Sequence, residues 1–308
     1  MAKFYWGVDL GGTKIECAVM AYDDDHCVLR KRIATEGNKG YTHVIGRIKQ
    51  LIDECASEVG EYPLVVGFGT PGTIDPATGC MKNCNSTHLN GKPLDKDLVQ
   101  QLGISVKLSN DANCFALAEA KLGVVRDVHP DAEVVFGIIM GTGVGSGIVV
   151  NGQVLYGCHG IAGEWGHNVI DPHGAPCYCG KSGCVETVLS GKGLERYYRE
   201  ITAQTQSSSN VTLPQIVTLA ERGDKDALKT MRRLYDNFGL AVANIINIID
   251  PDVIVIVIGG GVGNIDSLYD KCREAILPHL FNPALNTKIV KPKLGDSAGV
   301  FGAAMLVK

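Results

Sequence analysis

An α/β fold class, with strands and helices in layers, is what this sequence predicts, and three observations predict it. Apolar, strand-like runs at Phe4–Leu10, Val134–Met140 and Val253–Ile258 each end in a glycine-rich turn. Helical stretches, with apolar side chains three and four residues apart, lie between these runs. The chain has 308 residues and is 45% apolar, enough to bury a core in one large domain or two of ordinary size.

The first run leads into Gly11-Gly12-Thr13-Lys14, and the chain is apolar again from Ile15 to Met20. Strand, glycine turn and strand form a hairpin pattern. Tyr41–Val59 carries Val44, Ile48, Leu51, Ile52 and Cys55 at helical spacing. Asn110-Asp111 suits a helix start, with the helix running through Asn113–Leu122. Lys121–Asp131 is short and polar and contains Pro130, which suggests a boundary. Val134–Met140, the turn Gly141-Thr142-Gly143-Val144-Gly145-Ser146-Gly147 and Ile148–Val150 repeat the hairpin pattern, as a duplicated architecture would. Residues 203–212 read as an exposed loop. Asp224–Ile249 reads as a long helix stopped by Pro251. Val253–Ile258 leads into Gly259-Gly260-Gly261, and Ser297–Val307 reads as a closing helix. The expected division is a domain over 1–120, completed by the C-terminal helix 295–308, and a second domain over 121–294.

Composition excludes several classes. The net charge of -4 offers no basic surplus for a nucleic-acid backbone. No run approaches the roughly 18 apolar residues of a membrane span. The N-terminus lacks a basic stretch followed by a long apolar one, so no signal peptide is expected and a cytoplasmic location is. Eleven cysteines, an odd number, then read as thiols and metal ligands, not as a disulfide framework.

Four motifs carry chemistry. In Asp9-Leu10-Gly11-Gly12-Thr13-Lys14, glycines let backbone N–H groups approach phosphate, Thr13 and Lys14 add a hydroxyl and a charge, and Asp9 suits a Mg2+ ion held through water. The plain alternative is a tight hairpin with a surface lysine. Gly141–Gly147 resembles a dinucleotide fingerprint, but a strand follows where that fingerprint needs a helix. Two phosphate-cradling hairpins suit ATP better. Asp111, at a helix start, either caps that helix or accepts a proton from an attacking hydroxyl. The helix end is expected to lower its pKa. His167, Cys177, Cys179 and Cys184, spaced His-x9-Cys-x-Cys-x4-Cys, could close a tetrahedral Cys3His zinc site of structural type. His173 competes for the histidine position. Glu164 and Glu186 lie near the two ends of this segment.

These residues carry a family resemblance. DLGGTK, NDAN, GTGVGSG, GExGH and CxCGxxGCxE, in this order, resemble the ROK family of sugar kinases and repressors from about residue 5 to 305. The resemblance implies an actin-like, hexokinase-like ATPase fold, with two α/β domains flanking an active-site cleft. It implies Asp111 as the general base on a sugar hydroxyl, with Asn85, Asn110, Glu164, His167 and Glu186 on the sugar. It places Asp9, Gly11, Gly12, Thr13 and Lys14 at the first phosphate loop, Thr142 and Gly143 at the second, and Gly260 and Gly261 at the adenosine. His167, Cys177, Cys179 and Cys184 match zinc ligands. ATP, Mg2+ and a structural Zn2+ follow as cofactors, a small hexose as substrate and a homodimer as assembly, with no nucleic-acid or membrane partner. The repressor branch carries a DNA-binding segment ahead of the kinase-like body, and no room for one is expected before Asp9.

Within the family, the stretch from Lys82 to Leu98 and the Gly160–Asn168 segment look most like the fructokinase (manno-fructokinase) branch. The expected activity is transfer of the γ-phosphoryl group of ATP to the 6-hydroxyl of fructose, with mannose or glucose as further acceptors. An N-acetylhexosamine kinase, for N-acetylglucosamine or N-acetylmannosamine, is the enzymatic alternative, and a non-catalytic sugar-binding regulator the alternative of another class.

Overall fold

The structure, a computed structural model, describes residues 3–203, 211–259 and 265–308. The chain divides into two compact units: residues 1–130, 147–162 and 293–308 form one, and 131–146 with 163–292 form the other. The first unit thus takes in residues 147–162, a stretch the sequence offered no reason to separate from its neighbours.

The first unit is built on a five-stranded sheet. It comprises β1 (Phe4–Leu10), β2 (Lys14–Ala21), β3 (Cys27–Ala34), β4 (Val65–Thr70) and β7 (Ser105–Asn110), in the order β3-β2-β1-β4-β7. The short strands β5 (Thr73–Ile74) and β6 (Met81–Lys82) pair separately. The helices are α1 (Tyr41–Val59), α2 (Leu94–Leu102), α3 (Asp111–Lys121), α4 (Val124–Val128) and, at the C-terminus, α10 (Ala298–Met305). β1 and β2 form the expected antiparallel hairpin, whereas β1, β4 and β7 run parallel.

Strand alternation decides which side chains face which helix. Trp6 and Val8 point into a core shared with Ile48, Leu51 and Ile52 of α1. Each such burial contributes roughly 1.5–3 kcal/mol. Gly7 and Asp9 take the opposite face, toward α10. That helix lies so close that a Cβ on Gly67 of β4 would meet the Ala303 carbonyl oxygen at 1.8 Å. Glycine is therefore required there by the approach of two backbones, and the contact seats the chain's C-terminus on its first sheet.

The second sheet has the order β10-β9-β8-β11-β12, from β8 (Val134–Met140), β9 (Val144–Val150), β10 (Gln153–Val154), β11 (Val253–Ile258) and β12 (Lys288–Val290). Like the first sheet, it has an antiparallel pair at one edge, β10 with β9, and parallel strands β8, β11 and β12 at the other. The division between the units falls inside β9, after Ser146. The accompanying helices are α5 (Val185–Leu189), α6 (Gly191–Ala203), α7 (Leu213–Glu221), α8 (Lys225–Ile249) and α9 (Asp266–Ile276). Asp224 caps α8 by accepting from Ala227 N at 2.8 Å, and Asp250, in left-handed backbone, ends it before Pro251. α8 buries Met231, Leu234, Phe238 and Val242. Among the described residues, no helix is long and apolar enough to cross a membrane.

Candidate active site

Strand register brings the first unit's candidate residues together. Asp9 on β1 lies level with Gly69 on β4, and Gly69 with Ser109 on β7. Asn110 and Asp111 follow at once, so Asp9 and Asp111 meet at the carboxyl ends of parallel strands, where open α/β sheets bind ligands. Asn110 caps α3, its Oδ1 accepting from Asn113 N at 2.8 Å, and Asp111 Oδ1 accepts from Ala112 N at 2.8 Å.

The charge of Asp111 acts on Asp9, whereas Asp111 itself answers to burial and to backbone N–H groups. Burial, then the charges of Asp111 and Glu16, push Asp9 up to about 6, while Lys14 and Arg32 pull it down. Asp111 keeps open surface, yet protein crowds its carboxylate on most sides. That desolvation outweighs the N–H groups of the helix end and raises its pKa above the usual range. The sequence expectation of a lowered pKa is corrected here. A raised pKa makes Asp111 a stronger base, and two like charges side by side suit a divalent cation at Asp9.

The first glycine turn is tightly held. Gly11 N donates to Lys14 O at 3.0 Å, and Thr35 Oγ1 donates to Gly11 O at 2.7 Å. Asn85 is exposed, and Ser86 next to it reaches the turn: a Cβ on Gly12 would stand 3.2 Å from Ser86 Oγ.

Sequence reasoning missed a cavity of about 230 Å3 directly before Asn110. Thr70, Ile74, Leu108, Ser109, Tyr156 and Gly160 are among its lining residues. Thr70 Oγ1, bridging Gly72 O at 2.7 Å and Ser109 O at 3.1 Å, fixes its floor. Tyr156 belongs to no motif, so only the fold could bring it here.

In the second unit, Gly141 N donates to Gly143 O at 2.9 Å, closing the turn that holds Thr142 and Gly143. Glu186, near the start of α5, accepts from Val144 N at 3.0 Å. Glu186 thus supports this turn directly, a contact that its motif does not reveal. Glu164 starts a short 3-10 turn over Trp165–His167 and accepts from His167 N at 3.2 Å through its carbonyl. Gly259 N donates to Met140 O at 2.9 Å. Gly260 and Gly261 lie outside the described residues.

His167, Cys177, Cys179 and Cys184 converge, with their ligand atoms all within 4.8 Å of one another. Cys177 Sγ stands 3.5 Å from His167 Nδ1, and Cys179 Sγ 3.6 Å from Cys184 Sγ. Tetrahedral ligands about 2.3 Å from a zinc ion stand about 3.8 Å apart, so the set fits such an ion. Tyr178 OH, 3.0 Å from His167 Nε2, fixes the ring's orientation from its other nitrogen. Burial and the neighbouring thiols push Cys184 up to about 12, whereas the Lys181 N–H pulls Cys179 down. A divalent cation would let the three thiols ionise together. His173 is exposed and not part of the cluster. Gly183, at φ 66°, lets the segment leading to Cys184 pass Asp171. A Cβ there would stand 1.5 Å from Asp171 O.

A family model described as the ROK family matches residues 5–308. The chain belongs to the ROK family. It is 36% identical over 313 residues to an N-acetyl-D-glucosamine kinase of Haemophilus influenzae, covering 98% of both chains. Its fold is similar to the ROK hexokinase of Thermus thermophilus, with TM-score 0.85, 30% identity and 98% and 97% of the two chains covered. It is also similar to a ROK glucokinase of Streptomyces griseus solved with glucose and AMPPNP, with TM-score 0.74, 27% identity and 98% of each chain covered. These solved ROK sugar kinases bear out the expected hexokinase-like fold.

The fructokinase expectation is corrected by the Haemophilus relative and by others 36% identical over nearly the whole chain, which carry the name N-acetyl-D-glucosamine kinase. The structure supplies a physical reason why residues 82–98 misled. Asn90 holds the loop through Oδ1, accepting from Cys84 N at 2.9 Å, and through Nδ2, donating to Cys84 O at 3.2 Å. Leu89, Leu94 and Leu98 are buried. Packing accounts for these residues, and they carry no record of the sugar.

Proposed function

We propose that this ROK-family chain is an ATP-dependent sugar kinase that phosphorylates the 6-hydroxyl of N-acetyl-D-glucosamine. The family and its kinase members support the ATP-dependent reaction, and near-full-length relatives of that name support the substrate. The geometric observation that carries the chemistry is Asp111, an open carboxylate of raised pKa beside Asp9 and the first glycine turn.

Asp111 accepts the proton of the sugar's O6 as the bond from O6 to the γ-phosphorus forms and the bond from that phosphorus to the bridging oxygen breaks, releasing ADP. Phosphoryl transfer is mostly positioning and electrostatics, so orienting O6 matters as much as removing its proton. Gly11, Gly12, Thr13 and Lys14 bind phosphate oxygens from the first unit, and Thr142 and Gly143 bind them from the second. We assign Gly260 and Gly261 to the adenosine. Asn85, Asn110, Glu164, His167 and Glu186 bind or line the sugar. Asp9 would hold Mg2+ through water, and the ion would supply charge against the phosphates. His167 Nδ1 and the sulfurs of Cys177, Cys179 and Cys184 would hold Zn2+, which would supply rigidity to the segment carrying Glu164 and Glu186. A homodimer belongs to the same reading.

Asp111→Asn tests the assignment. It should lower kcat by about 10²–10⁴-fold while sugar still binds by calorimetry. Near-normal turnover in the variant would remove Asp111 from the role of base.

A further inference from the structure

The motif reading ends at Lys14, but the structure continues the first phosphate turn through Glu16. Glu16 is a charged side chain at 1% exposure. Its neighbours in register are Asp9 on β1 and Arg32 on β3, so the three share one face of the sheet. Arg32 Nε approaches Glu16 Oε2 at 2.7 Å, and Arg30 Nε approaches Oε1 at 3.0 Å. Lys14 Nζ stands 3.9 Å from the same Oε2. These are ion-pair approaches, off the line of aligned hydrogen bonds.

The three cations are not equivalent. Arg32 is held at its far end by Asp296 Oδ2 at 2.7 Å, and Arg30 by Ser297 Oγ. Both anchors lie just before α10. Lys14 has the longest of the three approaches and the most exposed side chain, at 45% against 37% and 34% for Arg30 and Arg32. Two arginines therefore pair with Glu16 in a buried place, where an unpaired carboxylate would be costly. The lysine rests on it loosely, next to the backbone N–H groups of the turn.

We propose that Glu16 is the positioning residue of the first phosphate turn. It parks the Lys14 ammonium ready for the nucleotide's phosphates, so that the ordering of this flexible side chain is complete before ATP arrives. Arg30 and Arg32 serve Glu16, and the C-terminal residues Asp296 and Ser297 hold the arginines in place. This inference rests on the kinase reading of Lys14 and not on which sugar is phosphorylated.

The test is steady-state kinetics with MgATP and the sugar that supports turnover. It compares wild type, Glu16→Gln, Lys14→Ala and the double variant, with thermal melting of each. Glu16→Gln should raise the KM for MgATP about tenfold, on the scale of one lysine's rotamer freedom, and leave the KM for sugar unchanged. In the Lys14→Ala background, Glu16→Gln should change the KM for MgATP no further. An unchanged KM in Glu16→Gln, or effects that simply add in the double variant, would overturn the proposal. Glu16→Asp keeps a carboxylate among the arginines but shortens its reach, lengthening the already long approach to Lys14. It should also raise the KM for MgATP, and a folded Glu16→Asp protein of wild-type KM would be equally fatal. Absence of sugar-dependent ADP release from wild type would overturn the kinase reading itself.

Discussion

Replacing Asp9 by Asn should make the protein more stable and less active at the same time. Asp9 is partly buried, beside Asp111 and Glu16, and its pKa is raised from 3.8 to about 6. Ionising it in the folded state therefore costs about 3 kcal/mol relative to the unfolded chain at pH above 7. The sign follows from proton binding. Between 3.8 and about 6 the folded chain binds more protons than the unfolded one, so wild type loses stability as pH rises through that window. Asparagine has the same shape and no charge, so it escapes this loss. Melting temperatures of the two proteins, measured in EDTA from pH 4 to 8, should nearly coincide at the acid end. They should separate through pH 4–6 and then hold a constant gap of several degrees in favour of Asp9→Asn, since about 1 kcal/mol moves Tm by roughly 2–4 °C in a protein of this size. Activity should fall in the variant, because the carboxylate that destabilises the fold is the one assigned to Mg2+. A variant less stable than wild type at pH 8, or a gap that ignores pH, would refute the reasoning.

Two further perturbations follow from the geometry. Removing metal with a strong chelator should release about one zinc per chain by elemental analysis, expose Lys181 to limited proteolysis and weaken sugar binding. Zinc-free protein with an intact protease pattern and unchanged sugar affinity would contradict the structural role. Gly67→Ala should destabilise the fold by about 1–3 kcal/mol or more, because its Cβ would overlap Ala303 O of α10. A melting temperature equal to wild type would show that α10 can move aside.

The parts of the molecule legible from sequence are those in which neighbours in sequence are also neighbours in space. The β1–β2 hairpin, the capped starts of α3 and α8 and the Cys3His cluster all depend on short-range spacing. What stayed hidden depends on register between distant strands. Tyr156 reaches Ser109 only through the fold, and Glu16 meets Arg30 and Arg32 only because β2 pairs with β3. Asp111 shows the same limit in electrostatic form. Its helix-end position is written in the sequence, but the surrounding protein that reverses its pKa shift is not. The choice of sugar is not legible in residues 82–98, where the buried leucines and the Asn90 contacts serve packing.

The central claim is that this chain transfers phosphate from ATP to N-acetyl-D-glucosamine with Asp111 as the base. A coupled ADP-release assay tests it most directly, run on wild type and Asp111→Asn over N-acetylglucosamine, N-acetylmannosamine, glucose, mannose and fructose. The highest kcat/KM is expected with N-acetylglucosamine, all of it dependent on Asp111. Turnover confined to fructose or mannose, or ADP release that survives in Asp111→Asn, would contradict it.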